Sequence, residues 1–110
     1  MEFKKDYNWA DKLKIDRHLV LNLSHITKED NDLLEDSGNQ DYGDSGFDVY
    51  HYEHGHIVCM PKDVSYFTEF GFSTFFESLA KMAQRFDCNM ITLDINGYIY
   101  EEMPLFKWED

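Results

Sequence analysis

"TFFESLAKMAQRFDCNMITLDINGYIYEEMP", residues 74–104, changes its hydrophobic period partway along, and that change decides the fold class. Phe75, Phe76, Leu79, Met82, Ala83 and Phe86 form one apolar stripe at the helical period, so the spacing predicts a helix over 74–87. Thr74 and Glu77 stand at capping-box spacing, in which a hydroxyl and a carboxylate satisfy backbone N–H groups of the first turn. From Met90 the apolar residues crowd into a short run that reads as a strand. Asn96-Gly97 suits a two-residue type I′ turn, because both positions there need positive φ. A returning strand is then predicted, with Ile95 facing Tyr98 and Leu93 facing Tyr100. An amphipathic helix of this kind lies on a sheet.

Working outward, "HLVLNLSHI" (18–26) is a nearly continuous apolar run and predicts an interior strand. Thr27 follows as an N-cap, with Asp30 in a capping-box-like position and Glu29 and Asp30 at the positive end of the helix dipole. The helix is expected from Lys28 to Asp36, to bury Leu33 and Leu34, and to stop near Gly38. "GNQDYGDSGFD" (38–48) is loop chemistry, an exposed and mobile segment by composition, whose Tyr42 and Phe47 either anchor the loop or stay available to a ligand. "VYHYEHGHIVCMP" (49–61) reads as one strand or, by preference, a hairpin turning at His54-Gly55, closed by Pro61. Residues 1–16 suggest an arm or short helix, and "LFKW" (105–108) a segment packed across an edge or helix. The predicted fold is α/β of the α+β kind: a single compact domain over 1–110, with a small sheet of about four to five strands, two main helices on one face and a C-terminal β-hairpin.

At 110 residues and 13.1 kDa the chain supports one core. Its 43% hydrophobic and 16% aromatic content can offset the entropy of folding despite the charge. There are 22 acidic and 10 basic residues, a net charge of -12. In residues 1–18, five basic side chains (Lys4, Lys5, Lys12, Lys14, Arg17) oppose four acidic ones (Glu2, Asp6, Asp11, Asp16), a balance of +1 that leaves -13 on the rest. That field repels nucleic acid and anionic membrane and attracts cationic surfaces, and the Lys/Arg patch that phosphate binding requires is missing. Cys59 and Cys88 form no CxxC pair and read as reduced structural thiols. The N-terminal stretch lacks the apolar core of a signal peptide, and no run approaches the roughly 18 apolar residues of a membrane span, so a cytoplasmic protein is expected.

Between Lys28 and Lys62 there is no Lys or Arg, while nine carboxylates and four aromatics share the interval. A solvated surface, a metal site and a negative face for a basic partner are the three readings. His51, His54 and His56 beside Glu53 are candidate zinc ligands. An extended strand would send His51 and His54 to opposite faces, so surface histidines are the simpler reading and no cofactor is expected. His25 in "LSHIT" reads as a structural histidine bonded to loop backbone, since the adjacent Ser24 points elsewhere on a strand. "LDING" is similar to the Asp-x-Asp-Gly start of aspartate-nucleophile phosphatases, but Asn96 stands where the acid-base carboxylate is needed. Without a phosphate loop, GxSxG, HExxH or CxxC, a non-enzyme is expected.

"LVLNLSHITKEDNDLLED" and "LAKMAQRFDCNMITLDINGYIYEEMPLFKW" resemble the start and end of a family of small uncharacterised proteins encoded on bacterial plasmids, phages and other mobile elements. Ser24, His25, Ile26 and Thr27 carry the first match; Cys88, Leu93, Asp94, Asn96, Gly97, Pro104, Phe106 and Trp108 carry the second. Met103 replaces the leucine that the pattern prefers. The resemblance implies a genomic context and no chemistry. By analogy with small acidic proteins of phages, the expected function is inhibition of a basic, nucleic-acid-handling defence protein, an anti-CRISPR or anti-restriction activity that uses nucleic-acid mimicry. The expected contact residues are Glu29, Asp30, Asp32, Glu35, Asp36, Asp41, Tyr42, Asp44, Phe47 and Asp48. The alternatives are an interaction module carried by Tyr42, Phe47, Tyr50 and Tyr52, or a metal-binding domain using the histidine cluster.

Overall fold

The computed structural model describes residues 6–37 and 47–108. In chain order it contains a 3₁₀ turn (Trp9–Asp11), β1 (His18–Asn22), a second 3₁₀ turn (Leu23–His25), α1 (Lys28–Ser37), β2 (Asp48–Tyr52), β3 (Gly55–Cys59), the short α2 (Tyr66–Glu69), α3 (Thr74–Arg85) and β4 (Met90–Asp94). The sheet order is β1-β4-β3-β2, with β1 parallel to β4 and the other pairs antiparallel. The molecule is therefore a single α+β domain with a four-stranded mixed sheet and three helices, the predicted class.

Register sorts the strand side chains between two faces. Leu21, Ile91, Leu93 and Val58, all 0% exposed, point toward the helices and meet Leu34, Phe67, Phe76, Leu79, Ala80 and Ala83. Phe76 lies 5.0 Å from Phe67 and 4.7 Å from Phe72 between ring centroids. Burying each such side chain contributes about 1.5–3 kcal/mol. The row Val20, Thr92, Ile57, Tyr50 lies on the opposite face, where Val20 is 43% and Tyr50 57% exposed. β1 is thus an edge strand, not the interior strand its apolar run suggests; Leu19 and Leu21 face the helices while Val20 remains in solvent.

The expected C-terminal β-hairpin is not formed. Both edges of β4 are already occupied, by β1 and β3, so no ladder is open to a returning strand. Neither Asn96 nor Gly97 has positive φ, and the chain crosses the end of β1 instead. Asn22 donates its N–H to the Tyr98 carbonyl at 2.9 Å, and a Cβ on Gly97 would lie 2.4 Å from the Leu21 oxygen, so the close crossing requires glycine. His25, fully buried, clamps the crossing: its Nε2 accepts from the Tyr100 N–H at 2.9 Å, so its Nδ1 carries the proton given to the Pro104 carbonyl at 2.8 Å. This is the structural role predicted for it. The "LFKW" segment then docks as expected: the Phe106 ring meets Phe75 at 5.5 Å, and the Trp108 indole donates to the Ile26 carbonyl at 3.0 Å.

Two helix caps also differ from the sequence reading. Thr27 does cap α1, accepting from the Asp30 N–H at 3.1 Å, but the Asp30 carboxylate does not reach back. It accepts instead from the Ser73 N–H at 2.8 Å and the Ser73 hydroxyl at 2.5 Å, while Ser73, not Thr74, caps α3 by accepting from the Phe76 N–H at 3.1 Å. Glu77 is left to approach Lys81 at 3.9 Å. Asp30 is 1% exposed and sits at the N-terminal ends of α1 and α3, whose dipoles both favour a negative charge. Asp30→Ala is expected to lower the unfolding free energy by about 2–4 kcal/mol, because it strands buried donors, and Ser73→Ala by about 1 kcal/mol. Urea denaturation checks both; an Asp30→Ala midpoint equal to wild type would refute the junction.

Candidate functional site

α1 divides its side chains by spacing. Asp30, Asn31 and Leu34 turn inward, whereas Glu29, Asp32, Glu35 and Asp36 are exposed. Asp48 is exposed at the first position of β2. The ion pairs among the described residues are Lys81 with Glu77 and His54 with Glu53, neither of them on α1. Of the contact residues expected from sequence, Asp30 is removed by burial and by its bonds to Ser73. Phe47 is removed as well: it is 3% exposed, with its ring 5.0 Å from Phe67 and 6.2 Å from Phe72. It is a loop anchor, one of the two roles allowed for it. Asp41, Tyr42 and Asp44 lie outside the described residues.

The histidines occupy a different place. The β2–β3 hairpin turns at Glu53-His54, with Tyr52 opposite Gly55, and a Cβ on Gly55 would lie 1.8 Å from the Leu93 oxygen. Close backbone approach, more than turn geometry, therefore requires this glycine. His51 and His56 are direct cross-strand partners on the helix-facing side, with their Nδ1 atoms 2.7 Å apart. His56 Nε2 lies 2.9 Å from Asn31 Oδ1, and Asn31 Nδ2 donates to Glu35 Oε1 at 3.3 Å. His54 is separate, 3.8 Å from Glu53 in the turn. The cluster thus divides into a relay that runs from exposed His51 to buried His56 and Asn31, and a turn histidine, and among the described residues no group of three or more His, Cys, Asp or Glu converges on a metal position.

The relay opens into a cleft of about 380 Å³ between the hairpin, α1 and the chain after β4, lined by Leu23, Glu35, His51, Glu53, His54 and Ile95 among others. At its rim the Tyr52 hydroxyl donates to Asp94, whose other oxygen accepts from the Asn96 N–H at 2.7 Å. Those two donors hold the Asp94 carboxyl below the usual carboxylate range, while burial, together with Asp94, pushes the Tyr52 phenol up to about 12. Asp94 is therefore an acceptor anchored on both oxygens. Burial also pushes the Cys59 thiol up, in keeping with a structural cysteine, and both cysteines are free.

Asn31 was not singled out by the sequence reading. Its signal is a polar residue three positions before Leu34, on the buried stripe of α1, where an apolar side chain would be the default. Burial, with a smaller contribution from His51, lowers the affinity of His56 for a proton, and Glu35 opposes this. Since the unfolded chain then protonates first, the stabilisation is present above the ordinary histidine pKa of about 6.5 and is lost as pH falls below it. The urea midpoint is expected to drop between neutral and mildly acidic pH, with a flatter dependence in His56→Leu whatever its absolute stability. Equal slopes would contradict this.

A four-stranded mixed sheet with three helices, an acidic helix and a histidine cleft define a small α+β domain. No helix of the described residues is long and apolar enough to cross a membrane. The chain belongs to the family of unknown function (DUF5983), C-terminal domain, whose model matches residues 18–108. No curated protein and no solved structure matches it.

Proposed function

We propose that this chain is a non-enzymatic acidic protein that binds and inhibits a basic, nucleic-acid-handling protein of host defence, of the anti-CRISPR or anti-restriction kind, by occupying its nucleic-acid surface. The observation that carries the reading is the exposed carboxylate face of α1: Glu29, Asp32, Glu35 and Asp36 repeat along one helix with no Lys or Arg ion pair among the described residues. Repeated negative charges of this kind suit a surface built to neutralise phosphates, and they speed encounter with it. None of the four strands contains a Lys or Arg, so the sheet does not offset the field. Origin on a mobile genetic element and action in the host cytoplasm belong to the same proposal.

One observation favours a second reading. Tyr50 stands 57% exposed on the sheet face opposite the core, a place for an aromatic anchor. Salt separates the two, because charge-led binding weakens with ionic strength and aromatic anchoring does not. The test is inhibition of DNA binding by purified restriction and CRISPR effectors, followed by fluorescence anisotropy at low and high salt. The combined variant Glu29→Lys, Asp32→Lys, Asp36→Lys is expected to lose inhibition at least about tenfold, and wild-type inhibition to fall with salt. A triple variant that inhibits like wild type would remove α1 from the interface.

A further inference from the structure

The hydrogen bonds along the relay fix where its protons sit. Asn31 gives its amide N–H to Glu35 Oε1, so its carbonyl oxygen faces His56 Nε2, and that nitrogen must carry a hydrogen. A neutral His56 then has a bare Nδ1, and the 2.7 Å contact requires His51 to donate from its own Nδ1. In the neutral tautomer that this bond selects, the nitrogen left to His51 is a bare Nε2. Because His51 is exposed and lines the cleft, the relay sets an acceptor at the cleft wall.

We propose that this cleft is a guanidinium site that receives one arginine side chain of the partner. The inference rests on the reading of the chain as a binder of a basic protein, and it names the anchor. Glu35, Glu53 and His51 Nε2 offer acceptors, and among the described residues no Lys or Arg lines the space. Leu23 and Ile95, the latter 56% exposed, supply apolar contact for a methylene stem. Arginine meets all of these demands at once: five donors in a planar fork, a permanent charge, weak hydration and a face that stacks on rings such as His54. Lysine offers a compact, strongly hydrated charge with no fork. A metal fits less well, because the Nδ1 atoms of both paired histidines are bonded to each other.

The experiment uses the full chain, ¹⁵N-labelled, titrated at neutral pH with capped arginine and, at matched ionic strength, capped lysine, while long-range imidazole spectra report each ring nitrogen. Bare Nε2 on His51, bare Nδ1 on His56, and saturable arginine shifts centred on His51 that exceed those with lysine would establish the site. His51→Phe is expected to abolish them and Glu35→Gln to weaken binding several-fold; because His51→Phe also strands the buried His56 Nδ1, Glu53→Gln, exposed and outside the relay, is the second variant and is likewise expected to weaken arginine binding. Equal shifts with both amino acids spread over α1, unchanged binding in His51→Phe, or a proton on His51 Nε2 would overturn the proposal. A zinc response without an arginine response would overturn it in favour of a metal. Failure here leaves effector inhibition through α1 intact, whereas failure of the α1 charge reversal leaves arginine capture intact, so the two readings fall separately.

Discussion

A carboxylate buried where two helices begin is the constraint around which the rest is arranged. Among the described residues Asp30 has no cation; it is held by the Ser73 N–H and hydroxyl and by the N-terminal ends of α1 and α3. The next residue, Asn31, bonds in another direction, to His56 in β3. Two consecutive polar residues thus bolt α1 to the helix beside it and to the sheet beneath it. Buried polar networks stabilise only when every member is satisfied, and among the described residues no buried side-chain polar atom lacks a partner. These two attachments, together with Leu34 in the core, fix which face of α1 turns outward.

The same interior polarity links the two halves of the functional reading. Glu35 belongs to the exposed carboxylate row and also to the Asn31–His56–His51 relay. Charge on the surface and proton placement in the cleft are therefore not independent properties. Through Asn31, one carboxylate of the exposed row orients the histidine pair at the cleft.

How much of this was legible in the sequence depends on the range of the interactions. The amphipathic period of residues 74–87, the Thr27 cap and a hairpin within 49–61 are local, and the chain spells them directly, although the turn falls at Glu53-His54 and not at the expected His54-Gly55. The C-terminal hairpin was misread because Asn96-Gly97 states only what a turn prefers, whereas the outcome was set by β1 and β3 filling both edges of β4. Asp30 looked like surface charge because its partner is forty-three residues away. Phe47 was counted with the loop because its aromatic neighbours come from α2 and the segment after it. His51 and His56 were seen as a cluster, but their division from His54 required the strand register. Exposed carboxylates on α1 were the part of the site most fully readable, since helical spacing alone sorts Glu29, Asp32 and Asp36 from Leu34.

The parallel pairing of β1 with β4 bears on how the chain comes together in time. His18 meets Met90, so the first strand waits for seventy-two residues to follow before its ladder can close. The hairpin of β2 and β3 can form early, but it presents an unsatisfied edge until β4 arrives and is itself capped by β1. During synthesis on the ribosome, then, Leu19 and Leu21 emerge long before their shelter exists, and the growing polypeptide must stay dispersed with its apolar strand uncovered. Like charges along residues 29–53 would keep such nascent chains apart, so the acidity of the finished protein also serves as an internal guard against aggregation while it is being made.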